Sequence, residues 1–398
     1  MKPRMLILCS RKLPHPLAAG FGLRIFHLAR FLSEVYHVDF LFLNRQAQGA
    51  NTPGEIQALQ SVFRQVFSFP FSDGRYLANA LNGLLSPDPV QVRTFAFPEV
   101  RQWLQEHQHD YRIILGNHVR VGEWVKGLEV PVALDLHDAI SLNYERAIPH
   151  VRGPYRWLYQ LERSRLLRYE VELANRFPCF LVSEVDRQHL LEHGADPEKL
   201  RTIPLAVPDA ALQRPAYEGP EEERMAFLGK MDYHPNRDAA MTLAKEILPR
   251  LPGCGLTLVG ARPPKDVQEL ASDRITVTGF VEDPYAYLER AKVVVAPLRF
   301  GAGVQTKVLE AMALGKAVVL SSIAASAIGG RDGQDYWVAD SPEAFSAAVR
   351  QLLADEPLRR RMGARARAHI ERYFTWDAIG KKFLDALCSL QTGIKLET

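Results

Sequence analysis

Short apolar runs recur along the whole chain between longer amphipathic stretches, and this rhythm limits the fold more than any other feature. Runs buried on both faces and separated by helices are typical of parallel sheets that helices cover on both sides. We therefore predict an α/β fold with two doubly wound parallel sheets. The predicted strands are Met5–Cys9, Val38–Leu43, Ile113–Gly116, Val132–Leu136, Cys179–Ser183, Met225–Leu228, Leu256–Val259, Ile275–Val277, Val293–Ala296 and Val318–Leu320.

A length of 398 residues favours two domains. Four prolines, Pro204, Pro208, Pro215 and Pro220, interrupt the pattern near the middle of the chain. We predict an N-terminal Rossmann-like domain over 1–205, a linker over 206–222 and a C-terminal Rossmann-like domain over 223–374. Parallel sheets bind ligands at the carboxyl ends of their strands, so two facing sheets predict a site in the cleft between them.

The composition excludes several classes of protein. A net charge of +3 gives no global reason to expect DNA or RNA as a partner. The four cysteines stand far apart, which indicates neither a zinc site nor a disulfide framework. No apolar run reaches the ~18 residues of a membrane-spanning helix. The apolar run Met5–Cys9 is also too short for a signal peptide and predicts a first β-strand instead. The scattered cysteines favour a reducing cytosol.

Two loops after predicted strands suit phosphate groups. In the first, Gly20 and Gly22 precede a helix, and they serve either a close phosphate approach or only the turn. An NAD site would need a third glycine where Ile25 stands and an acidic residue where Asn44 stands. The pattern therefore argues against a dinucleotide.

The second loop lies in VVVAPLRFGAGVQTKVLEAMALGKAVVLSS and predicts a helix from about Gln305 to Leu314. Lys307 in its first turn opposes the helix dipole unless an anion is bound nearby. Glu310 lies on the same face, where its carboxylate is able to accept hydrogen bonds from ribose hydroxyls. The spacing fits a nucleotide diphosphate, and a surface helix with a Lys–Glu pair is the alternative.

These motifs resemble the retaining glycosyltransferases of family 4, which have the GT-B fold of two facing Rossmann-like domains. The resemblance covers nearly the whole chain and lies in the segments GFGLR, FLGKMDYHPNRDA, VTGFVEDPYAYLERAKVVVAPLR and GVQTKVLEAMALGKAVV. The helix over 375–392 is similar to the family's closing segment, which packs back on the first domain. The chain looks most like the bacterial polysaccharide sugar transferases.

The resemblance implies a role for each matched residue. His137 matches a histidine near the reacting sugar, and Glu310 matches the residue that binds the donor ribose. Lys230 and Lys307 are the expected cations at the diphosphate. Further donor contacts are expected from Gly22, Gly229, Phe280, Val281, Val304, Gln305 and Thr306.

The sequence departs from the family at two places. Ala302 stands where a glutamate usually contacts the donor sugar, and Pro235 and Asn236 stand where a second lysine is usual. We infer that Lys307 replaces the missing charge. No Asp-x-Asp triplet occurs, so we expect catalysis without a metal ion or other cofactor.

The leading hypothesis is a retaining transferase that moves a sugar from a nucleotide sugar to a glycan, lipid-linked or other glycoconjugate acceptor. The alternatives are a catalytically silent nucleotide-binding partner, which Ala302 keeps open, and a nucleotide-sugar epimerase. The arginine-rich stretch 146–176 suits either a solvated, self-paired helix or a surface for anionic lipid headgroups or a lipid-diphosphate acceptor. The second interpretation adds peripheral contact at the inner membrane face.

Overall fold

The computed structural model describes residues 2–10, 21–45, 59–60, 62–151, 153–300 and 304–392. Its contacts divide the chain into two compact units. The first contains Met1–Pro204 and Ile379–Thr398, and the second contains Leu205–Ala378. Residues 206–222, predicted as a linker, are therefore grouped with the second unit.

The first unit is built on a seven-stranded parallel sheet with the order β3-β2-β1-β4-β5-β6-β7. Chain direction across this sheet reverses between β1 and β4. The strands are β1 (Arg4–Cys9), β2 (His37–Arg45), β3 (Gln65–Phe71), β4 (Ile113–Asn117), β5 (Val132–His137), β6 (Cys179–Leu181) and β7 (Leu200–Thr202).

Helices lie between these strands. They are α1 (Phe21–Leu32), α2 (Asp73–Leu84), α3 (Val90–Thr94), α4 (Pro98–His107), α5 (Gly122–Val125), α6 (Ile140–Ala147), α7 (Pro154–Arg176) and α8 (Glu184–Glu192). Central strands such as β1 and β5 are buried along almost their whole length, because helices leave neither face of the sheet open to water.

The second unit repeats this plan with a six-stranded parallel sheet in the order β10-β9-β8-β11-β12-β13. Its strands are β8 (Glu222–Leu228), β9 (Gly255–Val259), β10 (Ile275–Val277), β11 (Ala291–Ala296), β12 (Ala317–Leu320) and β13 (Trp337–Val338). Its helices are α9 (Asp209–Leu212), α10 (His234–Thr242), α11 (Lys265–Gln268), α12 (Tyr285–Arg290), α13 (Thr306–Ala313), α14 (Ser322–Ala325), α15 (Pro342–Ala354) and α16 (Glu356–Tyr373).

The last helix, α17 (Trp376–Thr392), begins in the second unit and is grouped with the first from Ile379 onward. Phe383 is fully buried there, with its ring centroid 4.6 Å from that of Phe180 in β6. Gly380 lies so close to Phe31 of α1 that a Cβ would come within 2.3 Å of the ring. The C-terminal helix thus contributes to the core of the first unit.

The prediction of two parallel α/β sheets is confirmed, and each predicted strand overlaps an observed one. Three strands were missed. The edge strand β3 reads QVFSFPF, in which Ser68 and Pro70 break the apolar run, while β7 and β13 are only three and two residues long. Within the described residues, no helix is both long and apolar enough to cross a bilayer.

Candidate donor site and the strand-end histidine

The carboxyl ends of β8 and β11 form the switch point of the second sheet, since these two strands are neighbours with chain direction reversing between them. Gly229 and Lys230 follow β8, and the loop that leads to α13 follows β11. The helix begins at Thr306 and ends at Ala313, close to the predicted bounds. The sequence-predicted residues Gly229, Lys230, Lys307 and Glu310 therefore lie at one edge of the sheet.

Two glycines keep the backbone after β8 and β9 closely packed. The Gly229 N–H donates to the Val259 carbonyl at 2.9 Å. A Cβ on Gly260, whose φ is 147°, would lie 2.0 Å from the Gly229 carbonyl oxygen. A Cβ on Gly229 would in turn lie 2.7 Å from the side-chain nitrogen of Asn236. No larger residue fits at either position without movement of the backbone or of Asn236.

Asn236 joins the two loops of this site. It is buried at the start of α10, and its Nδ2 donates to the Lys230 carbonyl at 2.9 Å. Its Oδ1 accepts a hydrogen bond from the Lys307 ammonium. The resemblance predicts a missing lysine at this position. Lys307 reaches Asn236 from another helix, α13.

Burial shifts the pKa values of the two charged residues of α13. Loss of water around the Lys307 ammonium lowers its pKa to about 8, and Glu310 partly offsets this. Burial raises the pKa of the Glu310 carboxyl to about 7, against the opposing effects of a Tyr285 hydrogen bond and of Lys307. The Lys307 Nζ also lies 5.5 Å from the centroid of the Phe227 ring. Both groups therefore titrate near neutral pH.

The first turn of α13 adds N–H groups to this positive region. Val304 is buried, whereas Gln305 and Thr306 are half-buried. Gln305 precedes the helix with extended backbone, and Lys307 is the charged residue of the first turn. The first N–H groups of a helix have no partner within the helix and favour an anion. The position of Ala302 lies outside the described residues.

A clamp that sequence analysis missed holds the loop with Phe280 and Val281. Phe280 is 77% exposed and Val281 packs against the core of the second unit. Arg214 forms bidentate hydrogen bonds with Asp283 at 3.0 and 3.1 Å and with Glu289 at 2.7 and 2.9 Å. Asp283 accepts from the Tyr285 N–H at 3.1 Å, at the start of α12.

The Arg214 guanidinium also lies 5.7 Å from the centre of the Tyr285 ring. Burial, followed by the effect of Glu310, raises the pKa of the Tyr285 hydroxyl well above its usual value. The clamp therefore positions the tyrosine that hydrogen-bonds Glu310.

His137, in the first unit, ends β5 in a strained turn. Its φ is 74°, and the Asp138 N–H donates to the Leu136 carbonyl at 3.1 Å, which closes a three-residue turn around the histidine. Its own carbonyl accepts from the Val182 N–H at 2.7 Å. Burial lowers the pKa of the imidazole to about 4, with a smaller opposing effect of Asp135. His137 is therefore neutral at pH 7.

A buried ion pair that sequence analysis missed lies below this turn. Arg24 of α1 donates to both carboxylate oxygens of Asp135 at 2.8 and 3.2 Å, and to the Pro204 carbonyl at 2.9 Å. Arg24 and Asp135 are fully buried. Gly22 lies inside the same helix rather than before it, because α1 already begins at Phe21. Gly20 lies outside the described residues.

Asp138 was also missed, although it directly follows His137. Burial raises the pKa of its carboxyl to about 7, and repulsion from Asp186 adds to this. Asp186 accepts from the Ala139 N–H at 3.0 Å, and Glu170 accepts from the Ile140 N–H at 2.7 Å. These two carboxylates cap α6, so they fix the backbone that follows the strand-end histidine.

Comparison with known proteins agrees with this geometry. Residues 222–355 match the family model described as Glycosyl transferases group 1. A D-inositol 3-phosphate glycosyltransferase from Corynebacterium diphtheriae is 22% identical over 396 residues, which cover 92% of this chain and 88% of that protein. One from Segniliparus rotundus is 27% identical over 220 residues, which cover 49% of this chain and 48% of that protein. This chain thus spans about half the length of the Segniliparus relative.

Among solved structures, the Anabaena protein HepE in complex with UDP superposes with a TM-score of 0.68. The two share 16% of their sequence, and the match covers 97% of this chain and 100% of HepE. The chain therefore has the GT-B fold and carries, over residues 222–355, the domain of the group 1 glycosyl transferases, which confirms the resemblance to glycosyltransferase family 4.

Proposed function

We propose that this chain is a retaining glycosyltransferase that moves a sugar from a nucleotide diphosphate sugar to a glycan, lipid-linked or other glycoconjugate acceptor, without a metal ion. One observation carries the proposal. Asn236 accepts a hydrogen bond from the Lys307 ammonium and donates one to the Lys230 carbonyl, at the switch point of the second sheet. A lysine ammonium held by a neutral amide, helix N–H groups and closely packed glycines together suit a diphosphate.

The chemistry of transfer explains why positive charge is needed at this edge. Cleavage of the bond between the anomeric carbon and the phosphate leaves negative charge on the diphosphate while the sugar becomes cation-like. Preorganised cations and N–H donors stabilise that charge as it develops. Lys307, Lys230 and the first turn of α13 fill this role. Within the described residues, no group of three or more His, Cys, Asp or Glu is arranged to hold a metal ion.

Glu310 and the Phe280 loop are assigned to the nucleoside part of the donor. The Glu310 carboxylate accepts hydrogen bonds from the ribose hydroxyls, and the Tyr285 hydroxyl orients it. Phe280 and Val281 contact the base. HepE was solved with UDP, and with UDP and glucose. A uridine diphosphate sugar is therefore the first donor to test here.

His137 is assigned to the reacting sugar. Because its imidazole is neutral at pH 7, it is able to hydrogen-bond a sugar hydroxyl without placing a positive charge beside the cation-like sugar. Retention follows if the acceptor attacks on the face that the diphosphate leaves, with the leaving phosphate taking the acceptor proton. This route needs no carboxylate nucleophile, in contrast to the retaining glycosidases.

A silent nucleotide-binding partner is the alternative that Ala302 raises, and a nucleotide-sugar epimerase is the other. The names of the relatives given above support neither alternative. Slow donor hydrolysis without an acceptor distinguishes a transferase from a silent partner. We further propose a cytosolic protein with peripheral contact at the inner membrane face, where lipid-linked acceptors are available.

The first experiment is a thermal-shift screen against UDP, GDP, ADP, CMP, dTDP and NAD, with and without Mg²⁺. A ligand that binds the folded state raises Tm. We expect one nucleoside diphosphate to raise Tm without metal, and Glu310→Ala to abolish that rise. Glu282→Ala, which changes an exposed carboxylate in the neighbouring loop, is the matched control. A shift with NAD alone, or with none of the nucleotides, contradicts the proposal.

A further inference from the structure

Helix α2 presents a stripe of leucines to solvent. Leu77, Leu81, Leu84 and Leu85 at its C-terminal end are 59%, 55%, 40% and 91% exposed. At about 100° per residue they fall within one sector of about 100°, so they form a single surface, termed the leucine face here. Soluble proteins rarely expose several large apolar side chains next to one another. Such a patch normally marks an interaction site.

The rest of α2 is fixed against the first unit, which orients the leucine face outward. Gly83, on the opposite side of the helix, is buried, and a Cβ there would lie 3.1 Å from the Cα of Val90. The ring of Tyr76 stacks on Phe71 with 6.2 Å between centroids. The leucines therefore cannot turn inward without loss of this packing.

Helix α2 carries no charged residue from Tyr76 onward, and Asp73 in its first turn pairs with Arg45. The stretch YLANALNGLLSP, residues 76–87, contains no Asp, Glu, Lys or Arg. Surface helices usually place charged residues on the side opposite the core. Here the solvent side is the apolar one.

Helix α7 supplies cations beside the leucine face. Arg165 donates to the carbonyls of Gly83 and Leu84 at 3.3 and 3.2 Å, and Arg168 donates to the Pro87 carbonyl at 3.5 Å. Trp157 is 64% exposed and stands eleven residues before Arg168, which places both on the same side of α7. The apolar surface and this basic helix therefore adjoin.

Two arginines of this part of α7 are exposed, Arg156 and Arg168. Arg163 pairs with Glu145 at 3.4 Å, and Arg165, whose side chain is 13% exposed, lies 3.6 Å from Glu162. Glu162 is buried and accepts from the Val90 N–H at 2.8 Å. Leucine and tryptophan beside arginines match the surface by which proteins lie in the headgroup region of an anionic bilayer.

We propose that the leucine face, together with Arg156, Trp157 and Arg168 of α7, docks this chain on an anionic lipid bilayer. The leucines enter the boundary between headgroups and acyl chains, and the two exposed arginines contact the lipid phosphates. The idea rests on the part of the proposed function that brings the chain to the inner membrane face. Its test needs no transfer activity, so it stands or falls separately from the transferase assignment.

The test is flotation of the full-length protein with vesicles of phosphatidylcholine alone or with about a third of phosphatidylglycerol. We expect binding to the anionic vesicles only, and weaker binding in 0.5 M NaCl because salt screens the arginines. Leu81→Gln/Leu85→Gln is expected to weaken binding at least tenfold. Val35→Gln, which replaces an exposed apolar residue after α1, is the apolar control. Arg360→Gln, in an exposed basic run of α16, is the charge control.

Each other outcome identifies a different occupant and overturns the proposal. No binding to either vesicle by a monomeric protein means that a partner protein, and not a bilayer, covers the leucine face. A dimer in analytical ultracentrifugation that Leu81→Gln/Leu85→Gln converts to monomer means that a second copy covers it. Equal binding by Leu81→Gln/Leu85→Gln and wild type means that the cations act alone. The UDP-induced rise in Tm should be unchanged in all these variants.

Discussion

The two strand-end sites of this chain treat a buried cation in opposite ways. Below His137, Arg24 has a bidentate carboxylate and a backbone carbonyl as partners, so its charge is neutralised inside the protein. At the second sheet, the Lys307 ammonium donates to the neutral amide of Asn236, while Glu310 is hydrogen-bonded by Tyr285. The charge of Arg24 is balanced by a carboxylate, which suits a structural role. The charge of Lys307 is not balanced by its amide partner, so it is able to attract an anionic ligand.

Removal of the neutralised cation tests whether the Arg24–Asp135 pair stabilises the fold. Arg24→Ala leaves Asp135 as a buried charge without its counter-ion, which costs about 3–5 kcal/mol in the free energy of unfolding. Urea denaturation followed by circular dichroism measures the loss. Arg360→Ala removes an exposed pair with Glu356 and should leave the unfolding curve nearly unchanged. A curve for Arg24→Ala that matches this control would mean that the ion pair is not structural.

Lys307→Ala tests the other cation and should have the reverse profile. We expect donor turnover to fall by about 10²–10³-fold, because a preorganised donor to the leaving diphosphate is lost. Stability should not fall, since a partly desolvated ammonium is removed. The measurement is UDP release from the donor sugar, with urea denaturation in parallel. Lys292→Ala is the matched control, because Lys292 pairs with Glu223 at the amino end of β11. Full turnover in Lys307→Ala would contradict the assigned role.

The pH dependence of UDP affinity tests whether the charges of Lys307 and Glu310 act on the ligand. The Lys307 ammonium loses its proton as pH rises through about 8, and the Glu310 carboxyl gains one as pH falls through about 7. We expect affinity to be highest between these values and to fall up to tenfold for each pH unit above 8. Titration calorimetry from pH 6 to 9 measures it. Lys307→Arg should remove the alkaline decline, because a guanidinium keeps its proton.

Unfolding does not explain that alkaline decline. The pKa of Lys307 in the folded chain lies below its usual value of 10.5, so the unfolded chain holds more protons between about pH 8 and 10.5. The contribution of Lys307 to stability therefore rises with pH in that window. A loss of UDP affinity with a constant or higher Tm is the expected combination. A parallel loss of both would assign the decline to other groups.

The sequence was most informative where its pattern is local. Buried parallel strands are continuous apolar runs, so ten strands were found from the sequence alone, whereas β3 with its Ser68 and Pro70 was not. Gly229 and Lys230 after β8 and the Lys307–Glu310 pair were proposed as site residues for the same reason. Each depends on a few consecutive residues at the end of a strand.

The remaining parts of both sites depend on contacts between distant positions. Asn236 and Lys307 are 71 residues apart, and Arg24 and Asp135 are 111 residues apart. The motifs around these residues do not show which side chains meet in the folded chain. Arg214 and Tyr285 were missed for this reason. Asp138 was missed differently, because the burial that raises its pKa becomes apparent only when α6 and α8 pack beside it.

The smallest expected effect concerns the strained turn that presents His137. A side chain at a φ of 74° is strained by its Cβ, so His137→Gly should be about 1 kcal/mol more stable to unfolding than His137→Ala. Both variants remove the imidazole, and both should reduce donor turnover to the same degree. The two variants would then differ in stability but not in donor turnover. If glycine were no more stable than alanine, the turn would hold no strain, and the imidazole alone would explain the presence of histidine.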